Sequence, residues 1–247
     1  MKPSISEDTR VAEIVTHYPQ TRRLLEEVGI DYCCGGRQPL RDACRKAGLS
    51  QGDVVARLGE VIRRSKQEQA RPVNWLEAPL TGLVGHIIDA HHGYLKENLP
   101  RLKGLSDKVY EAHRQRHGDM VERVKRCLEQ LRIDIEMHLA KEEQILFPLI
   151  RQMEVFVAGQ GLQPVIHCGT IENPIRQMEA EHESAGGILA EIRGITRQYE
   201  VPEDGCESFR ALYDGLAALE ANLHEHIHLE NNILFPRAVE LESKVGW

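Results

Sequence analysis

In the second half of the chain, apolar residues recur at helical intervals over long distances. Leu128, Leu131 and Ile135 lie ten, seven and three residues ahead of His138, and Leu216, Leu219 and Leu223 lie at the same intervals ahead of His226. Spacings of three and four gather such residues on one helix face, turned to a core. The pattern predicts long helices over 80–98, 106–155, 172–198 and 206–242, the second interrupted near Gly118. From Thr9 to Ser65 the apolar runs are shorter and are parted by turns at "GIDYCCGG" and "KAGLSQGD". The polar stretch "SKQEQARPVNW" then reads as a linker. The expected fold is all-α, with a small helical domain at 1–65, a linker at 66–78 and a four-helix bundle at 79–247. Between the second and third long helices runs "VFVAGQGLQPVIHCGTIENP", a long connection for a bundle.

Composition agrees with this pattern. Of 247 residues, 41% are hydrophobic and 28% charged, while aromatics are only 5%, so aliphatic packing must supply the core. The net charge of -7, with no basic tract, argues against a nonspecific nucleic-acid binder. "MKPSISEDTR" is acidic where a secretion signal would be apolar, and no apolar run reaches membrane-spanning length. Export and membrane insertion are not expected, and a cytoplasmic chain with reduced cysteines is.

One unit occurs twice. "HLAKEEQILFP" spans His138 to Pro148 and "HIHLENNILFP" spans His226 to Pro236; both place Glu four residues after His and end in Ile-Leu-Phe-Pro. His138 and Glu142 lie one helical turn apart, as do His226 and Glu230, on stripes that continue through Ile145, Leu146 and Leu149 or through Ile233 and Leu234. Both pairs therefore point into a core, where an imidazole beside a carboxylate is costly without a compensating charge. An isolated i,i+4 pair is an ordinary surface contact, but two copies flanked by apolar residues favour a shared metal.

Two more histidines complete the set. His92 stands 46 residues before His138, and His182 stands 44 before His226, dividing the bundle into two equivalent hairpins. His91 competes with His92, yet Ile88, Leu95 and Leu99 share the stripe of His92. His224 and His228 fall on the far side of their helix and read as an exposed pair. His86 reads as surface or supporting polarity, and His17, His113, His117 and His167 lie outside any repeated register. Histidine and carboxylate donors suit iron, manganese or zinc, and the absence of cysteine from the stripe disfavours a structural zinc. The expected centre has His92, His138, His182 and His226 as terminal ligands, with Glu142 and Glu230 bridging. It leaves room for an oxo or hydroxo bridge and an open position for a diatomic ligand.

With "IDYCCGG" at Ile30 to Gly36 and the two "ILFP" units, nearly the whole chain resembles the cytoplasmic iron-sulfur cluster repair di-iron proteins. Their fold is a vicinal-cysteine domain joined to a hemerythrin-like antiparallel four-helix bundle. The resemblance implies two non-haem iron ions per chain on His92, His138, Glu142, His182, His226 and Glu230. It also implies repair of clusters damaged by nitric oxide or oxidants, damaged iron-sulfur proteins as partners, and nitric oxide or oxygen as small ligand. The segment from Val155 to Ile171 is longer than in compact members. Cys33 and Cys34 are expected to be exposed, exchangeable sulfur ligands in a glycine-loosened turn, with a lowered pKa if a helix start faces them; burial as two small residues is the alternative. Cys44, Cys127, Cys168 and Cys206 read as inert. Whether iron is delivered or nitric oxide merely captured stays open, as do enzymatic turnover and a homodimer. A conventional oxygenase is disfavoured, since no organic-substrate pocket or reductase-binding motif is legible.

Overall fold

The computed structural model describes residues 5–65, 73–165 and 169–245. The first part holds α1 (Val11–His17), a 3-10 turn (Pro19–Thr21), α2 (Arg22–Glu27), α3 (Leu40–Ala47) and α4 (Gln51–Ser65). Its apolar core gathers Val11, Ile14, Leu25, Leu40, Leu58 and Tyr32, and it takes in Ile227 from the bundle. α3 stops at Gly48, whose φ of 68° is the left-handed turn that glycine adopts without strain. Among the described residues there is no β-strand, only an isolated bridge between Arg10 and Pro39.

The bundle begins with α5 (Leu80–His86), passes through a π turn (Ile87–His92) and enters α6 (Gly93–Lys141). Glu154 of the neighbouring rod accepts the free N–H groups of Leu80 and Thr81 at 2.6 and 2.7 Å, capping α5 at the end where a helix favours negative charge. α6 doubles back on itself. Backbone angles of φ -123° and ψ 23° break the helix at His117, and Asp107 then meets Lys125 at 2.9 Å while Lys96 meets Glu143 at 2.6 Å. The reversal thus falls beside Gly118, where the sequence suggested an interruption.

The gap expected between 98 and 106 does not exist. Pro100 sits inside the helix, and Leu95, Leu99, Leu102 and Val109 form one buried stripe through it. Tertiary packing of that stripe outweighs the hydrogen bond proline removes. The second rod ends through a π turn (Glu142–Leu146) and α7 (Phe147–Val157). The third is α8 (Glu172–Ile195), and the fourth is α9 (Glu207–Leu229), a π turn (Glu230–Leu234) and α10 (Phe235–Val245).

Two apolar clusters fill the bundle at different levels. One joins Leu95–Leu102, Leu128–Leu139, Leu189 and Leu212–Leu223; the other joins Leu83, Ile87, Phe147, Ile175, Leu234 and Phe235. Between them lies a polar layer. In the long connection Leu162 and Val165 are exposed; His167 and Cys168 lie outside the described residues, as do 66–72 of the expected linker.

Candidate metal centre

All six residues singled out for metal lie in that polar layer, and all are buried. Their donor atoms form two groups: His92, Glu142, His226 and Glu230, and His138, Glu142, His182 and Glu230. Both carboxylates belong to both groups. Glu142 Oε2 lies 3.4 Å from His92 Nε2 and 3.3 Å from His138 Nε2, while Glu230 offers Oε1 to His226 at 3.0 Å and Oε2 to His182 at 3.1 Å. The Nε2 atoms of His138 and His182 approach to 3.0 Å.

Hydrogen bonds on the far sides of the rings fix which nitrogens face the layer. His92 Nδ1–H donates to Glu143 at 2.8 Å and His138 Nδ1–H to Glu181 at 2.9 Å. A carboxylate accepts only, so each Nδ1 carries the proton and each Nε2 turns a lone pair inward. His182 Nδ1–H donates to Asn231 Oδ1 at 2.8 Å. Glu143 and Glu181 are themselves held by Lys96 and Lys141. The sequence reading missed Glu143, Glu181 and Asn231, although each adjoins a site residue in the chain.

The layer fits a cation. Both oxygens of Glu142 and of Glu230, His92 Nε2 and both nitrogens of His226 are buried without a hydrogen bond among the described residues. Burial, and then the neighbouring histidines His226 and His182, draw His92 down to about 4 and His138 to about 3, so both are neutral donors at pH 7. Burial and then the charge of Glu230 raise Glu142 well above the usual carboxylate range. Glu230 is held low: burial pushes it up, but His226 and His182 outweigh that. Nitrogen and oxygen donors, two imidazoles per group and two shared carboxylates suit a pair of divalent first-row ions.

Three of the six residues lie at π turns, which contain His92, Glu142 and Glu230. The wider turn shifts the register of the residues after it. Ile145, expected on the buried stripe, is consequently 60% exposed, while Leu146 beside it is buried. His91, the alternative to His92, is buried next to the layer and belongs to neither group. His86 stacks on Trp75 at 4.7 Å.

Two expectations change because the N-terminal part packs onto the fourth rod. His228 is not exposed: at 2% exposure it faces the carbonyl of Tyr32 at 3.4 Å, and burial draws it down to about 4. His224 is partly covered by the Tyr32 ring, and Arg22 pairs with Glu225 at the same contact.

The cysteine turn is covered as well. Cys33 is 5% exposed, its N–H donates to Asp31 Oδ1 at 2.8 Å, and its thiol is raised well above the usual value by Cys34 and by burial. That is opposite to the lowered pKa entertained for this turn. Cys34 is half-buried, and its thiol reaches the carbonyl of His182 at 3.7 Å. A cleft of about 500 Å³ borders both thiols together with Arg37, Glu183, His224 and Asn231. Gly36 is needed for close packing: a Cβ there would stand 2.3 Å from the carbonyl oxygen of Tyr32 and 2.8 Å from Ala12 Cβ.

Two family models match the chain, the hemerythrin HHE cation binding domain over residues 84–238 and ScdA_N, a domain of unknown function, over residues 7–62. Relatives named iron-sulfur cluster repair protein YtfE cover nearly the full length. The one from Musicola paradisiaca is 35% identical over 237 residues, 94% of this chain and 97% of the relative. Those from Pectobacterium atrosepticum and Escherichia fergusonii are each 34% identical, over 95% and 94% of this chain and 98% and 97% of the relatives.

Proposed function

The chain belongs to the YtfE-type iron-sulfur cluster repair proteins with a hemerythrin domain, and from that premise we propose that its buried centre holds two irons and gives up iron to damaged clusters. In this reading His92 and His226 hold one ion, His138 and His182 hold the other, and Glu142 and Glu230 serve both. The observation that carries it is the membership of both carboxylates in both donor groups. Bound iron would supply an exchangeable, redox-active ion, with an oxide or hydroxide completing the bridge and a position for nitric oxide or oxygen. The protein's own work is to keep the imidazoles of His92, His138 and His182 aimed, through Glu143, Glu181 and Asn231, and to keep water from the layer. All six side chains come from one chain, so no second copy is required.

The division into 1–65, 66–78 and 79–247 belongs to the same reading, with the first domain serving as a thiol-bearing cover on the second. Recipients are damaged iron-sulfur proteins. The compartment is the cytoplasm, where the five described cysteines, all unbridged, would stay reduced. No helix among the described residues is long and apolar enough to cross a membrane.

A second reading, capture of nitric oxide without loss of iron, is favoured by the buried Cys33 and its raised thiol pKa, which make it a poor exchange ligand at rest. Changing Cys33 and Cys34 together to serine separates the two. Delivery through the thiols requires a variant that keeps its iron and still binds nitric oxide but restores a damaged iron-sulfur enzyme more slowly. Undiminished repair by a folded double variant would remove the thiols from transfer and leave capture standing.

A further inference from the structure

The two halves of the centre are not braced alike. Three of the four site histidines give their outer nitrogen to Glu143, Glu181 or Asn231. The fourth does not: among the described residues no group bonds the buried Nδ1 of His226. The ring behind it is His91, stacked nearly parallel at 5.9 Å and 12°. His91 is 3% exposed, and among the described residues neither of its nitrogens makes a hydrogen bond, although Asn222 adjoins it. Past His91 stands His86, edge-on at 5.7 Å, stacked in turn on Trp75. His86 and Trp75 line a cavity of about 340 Å³ together with Thr16, Arg22 and Glu225. Three imidazoles therefore run in file from the polar layer to a cavity.

Buried nitrogens without a bond are rare and call for a reason. An outer hydrogen bond fixes the ring of a metal-ligating histidine and strengthens it as a donor, and losing one typically costs about 10–100-fold in affinity.

We infer that the His92/His226 half is the exchangeable half of the centre, and that His91 and then His86 take over from His226 as an ion passes to the cavity beside Trp75. This rests on the reading of the protein as an iron donor. In the first exchange one bond from the ion to His226 opens as one to His91 forms. The ion keeps its oxidation state, and one imidazole lone pair replaces another.

The test is anaerobic release of ferrous iron from the full-length, two-iron protein to ferrozine, followed by absorbance. The parent should release iron in two phases of equal amplitude, with rates about tenfold or more apart. His91→Phe keeps the ring and removes its nitrogens; it should start with two irons and lose the fast phase, slowing it roughly tenfold. His86→Phe, at the cavity, should slow the same phase by less. Glu181→Gln weakens the brace of the other half and should accelerate only the slow phase. One-phase release from the parent, or an unchanged fast phase in His91→Phe, overturns the inference. So does a His91→Phe protein isolated with a single iron, since His91 would then hold an ion rather than pass it on. If circular dichroism shows that His91→Phe has not folded, His86→Phe decides, and an unchanged fast phase there is equally fatal. A parent that yields no iron to ferrozine or to an apo-acceptor, yet repairs its target, refutes iron delivery itself, a separate result.

Discussion

Replacing Glu142 with methionine should stabilise the metal-free protein and remove most of its response to iron. Among the described residues neither oxygen of Glu142 accepts a hydrogen bond, and the residue is fully buried. Burial and the adjacent Glu230 already push its carboxyl toward the neutral form. Exchanging a buried, uncompensated ionisable group for an apolar side chain of similar length typically gains about 1–4 kcal/mol. Taking about 2 kcal/mol, and about 2–4 °C per kcal/mol for a chain of this size, the metal-free variant should melt about 4–8 °C above the metal-free parent. Iron reverses the order. A ligand at a hundred times its dissociation constant adds about 2.7 kcal/mol per site, so two sites raise the parent by roughly 5 kcal/mol, and the variant has lost a residue shared by both. Scanning calorimetry on chelator-stripped and anaerobically reconstituted samples of both proteins reads all four midpoints. A metal-free variant melting below the metal-free parent would show that Glu142 is satisfied without a cation. An equal gain from iron in both proteins would take Glu142 out of its shared position.

Elemental analysis of Glu230→Ala should find fewer than half the irons of the parent, and retention of two would contradict a bridging role. Cys33 should resist iodoacetamide at pH 8 while the exposed Cys206 is modified, because Cys34 and burial keep the Cys33 thiol protonated; mass spectrometry would reveal the reverse order if the turn were open. Gly36→Ala should destabilise the N-terminal domain by about 1–3 kcal/mol, since its Cβ meets backbone and Ala12, and urea titration should show it. Metal-free protein should lose stability as pH falls from 6.5 toward about 4. Burial holds His91, His92 and His228 near 4 and His138 near 3 in the fold, whereas the unfolded chain protonates them at 6.5. Glu142, raised in the fold, contributes in the opposite direction, but four histidines outnumber it; a thermal midpoint flat from pH 7 to 4 would contradict this.

Much of the centre was legible because its residues repeat in register with leucines. His138 and Glu142, then His226 and Glu230, follow identical apolar stripes, and the near-equal offsets of His92 and His182 extend that symmetry. What periodicity missed depends on contacts between distant segments or on departures from 3.6 residues per turn. Ile145 leaves the core because a π turn displaces it. A break was expected between 98 and 106, yet the stripe from Leu95 to Val109 carries the helix through Pro100. His228 and Cys33 looked accessible because nothing local announces that the Tyr32 turn will lie against the fourth rod. Glu143, Glu181 and Asn231 reach histidines on neighbouring rods, a relation no spacing within one helix encodes.

The polar layer between the two apolar clusters also bears on how the bundle assembles. Four leucine-faced rods pack almost as well after sliding past one another by one turn, about 5.4 Å. Here every rod brings a buried imidazole or carboxylate to one shared level: His92 on the first, His138 and Glu142 on the second, His182 on the third, His226 and Glu230 on the fourth. Sliding any rod by a turn would press one of these groups against the leucines of a neighbour and strand its partners, at a cost of about 1–3 kcal/mol for each orphaned polar group. The six side chains therefore act as an alignment key for the polypeptide before any ion arrives. A lineage that lost iron binding would still be under pressure to keep some polar residue at this level, simply to fold in the correct frame.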